Sequence, residues 1–243
     1  MFKIPGILIP LVALTTTLGS VCRVHAVEPP PSTRESKYLD EVAKLATAPA
    51  PASGGILMVG SSIFRKWASC AQDLAPLPVT NRGFGGSQTR DQLLFFDQIV
   101  PSSRASVVVW YCGSNDVNAK KSPEAILQNT KEWIARTRSA LPHARILLVS
   151  VIRAPQKRED GKLSQVDAVN QGLLALSESL KGVDYIDVNP ALETEAGAPV
   201  AECYVEDHLH LAPAGYRRMT SVLKPAIEKR WKVPPTALTP SGR

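Results

Sequence analysis

The chain has 243 residues and a formal net charge of +6. Its cations are scattered, as at Arg136, Arg138, Lys157, Arg158, Arg217 and Arg218, with no aromatic interleaving; they read as solvated surface and exclude a nucleic-acid groove. No Cys-x-x-Cys spacing or spread of histidines suggests a zinc site.

Lys3, the apolar run from Ile4 to Leu18, and Val24-His25-Ala26 form the pattern of a secretory signal peptide over residues 1–26, cut after Ala26. The run is short and broken by Pro5, Gly6 and Pro10, which argues against a membrane span, with an uncleaved anchor as the alternative. Cys22 raises a lipoprotein reading that Val21 does not fit. Loss of Lys3 and Arg23 lowers the charge from +6 to +4, that is 6 − 2. The expected location is exported, periplasmic or secreted. Roughly 215 residues then remain, enough for one domain with a full core. They include Cys70, Cys112 and Cys203; Cys112 closes an apolar run and reads as buried, so any disulfide would join Cys70 and Cys203.

Residues 27–54 read as linker around one short amphipathic helix carrying Tyr38, Leu39, Val42 and Leu45. The domain follows over residues 55–232, and residues 233–243 are expected to be a disordered tail. Within the domain, Ile56 to Val59, Val107 to Tyr111, Ile146 to Val151 and Val183 to Val188 are nearly continuous apolar runs, as expected of strands buried on both faces. Pro78 to Asn81 is a weaker candidate. Helical patterns lie between and after them at Gln88 to Val100, Ser122 to Leu141, Gln165 to Leu180 and Ala212 to Trp231. Strand alternating with helix requires crossover connections, hence an α/β domain with a mostly parallel sheet covered on both faces.

Ligands bind such sheets beyond the carboxyl ends of the strands. Three polar clusters are expected there: Gly60-Ser61-Ser62-Ile63, Asn81-Arg82-Gly83-Phe84-Gly85-Gly86-Ser87 and Gly113-Ser114-Asn115-Asp116. A fourth, Asp207-His208-Leu209-His210-Leu211, precedes the last helix. Ser62 opens a helix, where backbone N–H groups favour developing negative charge; a simple N-cap role for Ser61 or Ser62 is the alternative. The Gly85-Gly86 pair permits close backbone approach and an oriented N–H, although a plain glycine-rich turn has the same composition. Gln88 breaks a dinucleotide fingerprint, and the Gly-Lys-Ser/Thr of a phosphate loop is missing. Asn115 offers a side-chain amide donor, or an ordinary turn residue. Asp207 and His210, three apart, can share one face of a turn, whereas His208 points elsewhere; His143 reads as surface.

These four blocks, in this order, resemble the SGNH superfamily of GDSL-type esterases and acylhydrolases over roughly Gly55 to Ile227. The resemblance implies a flavodoxin-like three-layer α/β/α sandwich with a five-stranded parallel sheet. In it the second strand lies near an edge and the first and third are central. It implies Ser62 as nucleophile, Asp207 and His210 as its acid–base partners, and an oxyanion hole from Ser62, Gly86 and Asn115. It also implies no metal and no cofactor. Ser61 departs from the pattern, standing where the family has the aspartate of its name. The small single-domain members resembled, platelet-activating-factor acetylhydrolase subunits and bacterial carbohydrate esterases, imply a short-chain, acetyl, ester as substrate. With the export signal this points to an extracytoplasmic glycan or lipid ester as partner, with an acyl pocket formed by loops such as Arg153 to Ser164. O-acyl transfer to a sugar hydroxyl, or a non-catalytic glycan-binding module, would use the same fold.

Overall fold

The computed structural model describes residues 33–47 and 54–231; the expected signal peptide and polar tail lie outside these residues. In chain order the elements are α1 Thr33–Thr47, β1 Ile56–Gly60, α2 Ser62–Arg65, α3 Cys70–Asp73, β2 Val79–Asn81, α4 Thr89–Leu94, α5 Phe96–Ile99, β3 Val107–Tyr111 and α6 Ser114–Asn118. They continue with α7 Pro123–Ala140, β4 Arg145–Val149, α8 Pro155–Glu159, α9 Leu163–Ser179, β5 Val183–Ile186, α10 Asn189–Leu192 and α11 Pro213–Trp231. All five strands pair in parallel, in the order β2-β1-β3-β4-β5.

The apolar runs become central strands because alternate side chains must fill two cores. Leu57, Val59, Val108, Trp110, Ile146 and Leu148 pack with Val42 of α1, Trp133 of α7 and Val169 of α9. On the other face Met58, Val107, Val109, Leu147 and Val149 pack with Phe64 of α2, Cys70 of α3 and Met219 of α11. These are the three layers expected. From β1 the chain moves out to the edge strand β2 and then returns past β1 to β3. The carboxyl ends of β1 and β3 therefore flank the point where the winding reverses, the usual ligand crevice of such a sheet.

Several local expectations change. The helix expected from Gln88 to Val100 is two short helices joined at Phe95, whose ring is buried against Tyr38 and Phe84, with centroids 6.3 and 6.0 Å away. The fourth strand ends at Val149 and the fifth at Ile186. There the Asn170 side chain takes over the backbone, accepting from the Val151 amide at 2.8 Å and donating to its carbonyl at 2.9 Å. Cys70 and Cys203 are free buried thiols rather than a pair, and Cys112 is buried as expected. Each is packed as a small apolar side chain, and burial pushes the Cys70 thiol up to about 12. Lys157, read as a surface cation, is fully buried.

Candidate active site

β1 ends in contact with its neighbour. A Cβ on Gly60 would lie 2.0 Å from the Tyr111 carbonyl oxygen, so only glycine lets the chain leave the sheet here. The Ser61 amide then donates to that carbonyl at 3.0 Å, and α2 starts at Ser62. Ser61 stands at the N-cap of α2 without a side-chain capping bond, and next to it comes the Ser62 hydroxyl. It meets His210, whose Nε2 lies 2.8 Å from Ser62 Oγ. Ser61 thus holds the N-cap position of the alternative reading, without a side-chain bond to the helix.

The imidazole is held by a turn of its own loop. Asp207 Oδ2 lies 2.5 Å from His210 Nδ1, while Asp207 Oδ1 accepts the backbone amides of Leu209 at 3.0 Å and His210 at 2.8 Å. With Nδ1–H directed at the carboxylate, Nε2 is left to accept from Ser62. Burial pushes the Asp207 carboxyl up, but the His210 amide and imidazole and the Leu209 amide outweigh it, lowering the group to about 2. His208 adopts a left-handed backbone conformation (φ 56°), and its Nδ1 lies 2.7 Å from Glu159 Oε1. Of the two histidines, His210 is the one in contact with Asp207. His143 is exposed.

The glycine cluster meets the end of β1, where the Phe84 amide donates to the Gly60 carbonyl at 2.9 Å, and the block after β3. Gly86 has φ 73°, a conformation that disfavours other residues, and its carbonyl accepts from the Tyr38 hydroxyl at 2.9 Å. Asn115 Nδ2 donates one hydrogen to the Ser87 carbonyl at 2.9 Å, which leaves its second hydrogen for a ligand. Among the described residues, neither the Ser62 amide nor the Gly86 amide has an acceptor. Three donors of these blocks are thus unspent.

Buried polar groups brace this shelf, and sequence reading had not singled them out. Gln92 Nε2 donates to the Gly60 carbonyl at 3.0 Å and to Ser87 Oγ at 2.8 Å, joining the first block to the second. Asp116 accepts the Thr89 hydroxyl at 2.7 Å and the Thr89 amide at 3.1 Å, joining the third block to α4; burial pushes its carboxyl up to about 6, against the pull of Thr89. Lys157 donates to the Ser114 carbonyl at 3.0 Å and to Asn118 Oδ1 at 2.5 Å, holding α6 from beneath. Burial lowers its ammonium to about 7; Lys162 lowers it further and Asp160 opposes. Asp116 adjoins the Asn115 already named, and that adjacency was the only signal for it. For Lys157 the sequence carried none.

The loop expected to form an acyl pocket borders a cavity of about 450 Å³, with Pro155, Arg158 and Glu159 on one side and Tyr204, Val205 and His208 on the other. Neither Ser62 nor His210 lines it. Among the described residues, no helix is long and apolar enough to cross a membrane.

Residues 55–218 match the sequence model of the GDSL-like lipase/acylhydrolase family. The chain belongs to this family. It is a serine ester hydrolase of the GDSL-like type, and all four blocks fall inside the matched stretch. Similar solved structures include a Streptococcus pneumonia protein described as a candidate platelet activating factor, at 23% identity and TM-score 0.68, covering 80% of this chain and 96% of that one. A family 3 carbohydrate esterase from Talaromyces cellulolyticus is 15% identical, with TM-score 0.59 and coverage of 73% and 98%. An acetyl esterase variant holding an acetate ion is also 15% identical, with TM-score 0.58 and the same coverage. At these identities the likeness speaks for the fold of this GDSL-like hydrolase. No curated protein matches its sequence.

Proposed function

We propose that this hydrolase cleaves short-chain esters, with acetyl as the acyl group, through an acyl-enzyme on Ser62. The observation that carries the reading is the unbroken chain from Ser62 Oγ through the His210 ring to Asp207, with links of 2.8 and 2.5 Å. His210 Nε2 takes the hydroxyl proton as Oγ attacks the carbonyl carbon. Asp207 keeps the tautomer and steadies the imidazolium. The carbonyl oxygen becomes an oxyanion among the Ser62 and Gly86 amides and the Asn115 side chain, where each donor contributes about 3 to 4 kcal/mol. His210 then returns the proton to the leaving alcohol, and water, activated by the same imidazole, releases the acid. Every proton moves between the hydroxyl, His210, the alcohol and water, so the cycle closes on the chain's own residues.

An ester on an extracytoplasmic glycan is the preferred substrate. Supporting this are the leader-like segment before Ala26 and the likeness to a carbohydrate esterase and an acetyl esterase. Hydrolysis of chromogenic esters of increasing acyl length, by wild type and Ser62→Ala, is the direct test. The wild type should favour acetyl, and the variant should fall by about 10⁶-fold in kcat. Equal rates for the two proteins would refute the nucleophile; a preference for long chains would refute the acetyl assignment.

A further inference from the structure

The family match begins at residue 55, yet α1, at Thr33–Thr47, reaches the proposed oxyanion hole. Its Tyr38 is 1% exposed, with its ring edge-on to Phe84 and Phe95 at centroid distances of 5.3 and 6.3 Å. Phe84 stands two residues before Gly86 on the same loop, so the ring fixes the approach of the chain and the hydroxyl fixes its end. That hydroxyl donates to the Gly86 carbonyl at 2.9 Å. Val42, one turn further along α1, is 2% exposed and anchors the helix in the same core. On the helix surface Glu41 pairs with Arg65 of α2, tying α1 to the segment that carries Ser62.

Gly86 is enclosed from this side. A Cβ placed on it would stand 3.4 Å from the Lys37 ammonium and 3.6 Å from the Tyr38 hydroxyl. A glycine with φ 73° has little intrinsic preference for one orientation of its peptide planes. The 2.9 Å bond holds the peptide plane on the carbonyl side of Gly86, and the Tyr38 ring packed on Phe84 restrains the chain that enters on the N–H side, so both planes are limited from α1. Oxyanion donors act through such prior orientation, and small misplacements are costly in rate.

We propose that Tyr38 is a positioning residue for the oxyanion hole, and that α1 is thereby a working part of the active site although it lies outside the family-matched stretch. The proposal rests on Gly86 acting as an oxyanion donor. Tyr38→Phe keeps the ring and its packing and removes only the hydroxyl. In the full chain it should lower kcat for a chromogenic acetyl ester by about tenfold, with KM within about twofold of wild type and little change in melting temperature. Val42→Ala loosens the same helix without touching Gly86, and should lower the melting temperature while kcat stays near wild type. A wild-type kcat in Tyr38→Phe, with Ser62→Ala inactive, overturns the role of Tyr38 and leaves the proposed chemistry standing. An equal kcat loss in Val42→Ala also overturns it, by showing that α1 is only a structural prop. Full activity in Ser62→Ala overturns both.

Discussion

The two halves of the site are built in opposite ways. The Asp207–His210 half is a short surface turn: the partners are three residues apart, and the Asp207 side chain is 45% exposed. The half proposed to hold the oxyanion joins Ser87 and Asn115, 28 positions apart, and rests on the buried groups Gln92, Asp116 and Lys157. A contact between near neighbours loses little chain entropy on forming, so it can stand at the surface. A shelf drawn from distant segments must be held by the interior, and its buried polar groups must then find partners. The proposed base is thus positioned locally and the proposed oxyanion donors globally.

Mutations should separate the halves. Asp207→Asn leaves the turn's shape but can no longer favour the required tautomer, and should lower kcat by about 10⁴-fold with little loss of stability. Because the carboxyl is lowered to about 2, it stays ionised over any ordinary assay range, and raising the pH should not rescue the wild-type contact further. A loss from Asp207→Asn no greater than that from Asn115→Ala would break the distinction. Asn115→Ala should lower kcat by about 10²- to 10³-fold with KM little changed, since the lost donor acts on the transition state. A rise in KM alone would place Asn115 in ground-state binding.

The smallest effect concerns stability. The Lys157 ammonium is lowered by burial from 10.5 to about 7, so across that interval the unfolded chain binds more protons than the folded one. Stability from this group therefore rises with pH through the interval, and below it the full cost of a buried charge remains. The stability of wild type minus that of Lys157→Met, from urea unfolding, should grow as pH increases from about 7 to about 10. A flat difference would show that the ammonium beneath α6 is not desolvated.

The apolar runs at Ile56, Val107, Ile146 and Val183 were legible because a strand buried on both faces must be apolar throughout. So was the contact of Asp207 with His210, since three-residue spacing in a turn is a local geometric fact. The break at Phe95 was not, because its cause is the fit of one ring against Tyr38 and Phe84, residues brought from elsewhere. Free thiols at Cys70 and Cys203 were equally hidden, since both are apolar fillers in one core.

Sequence by itself determined the layered α/β class, the four blocks, and the residue types at Ser62, Gly86, Asn115, Asp207 and His210, because periodicity and short spacing are properties of neighbours along the chain. Only the tertiary structure decided that Ser62 meets His210 across 148 positions, that Lys157 is interior, and that Tyr38 grips Gly86. Those contacts depend on which distant segments the two cores bring together, and a hydroxyl or ammonium carries no mark in sequence of the carbonyl it will find.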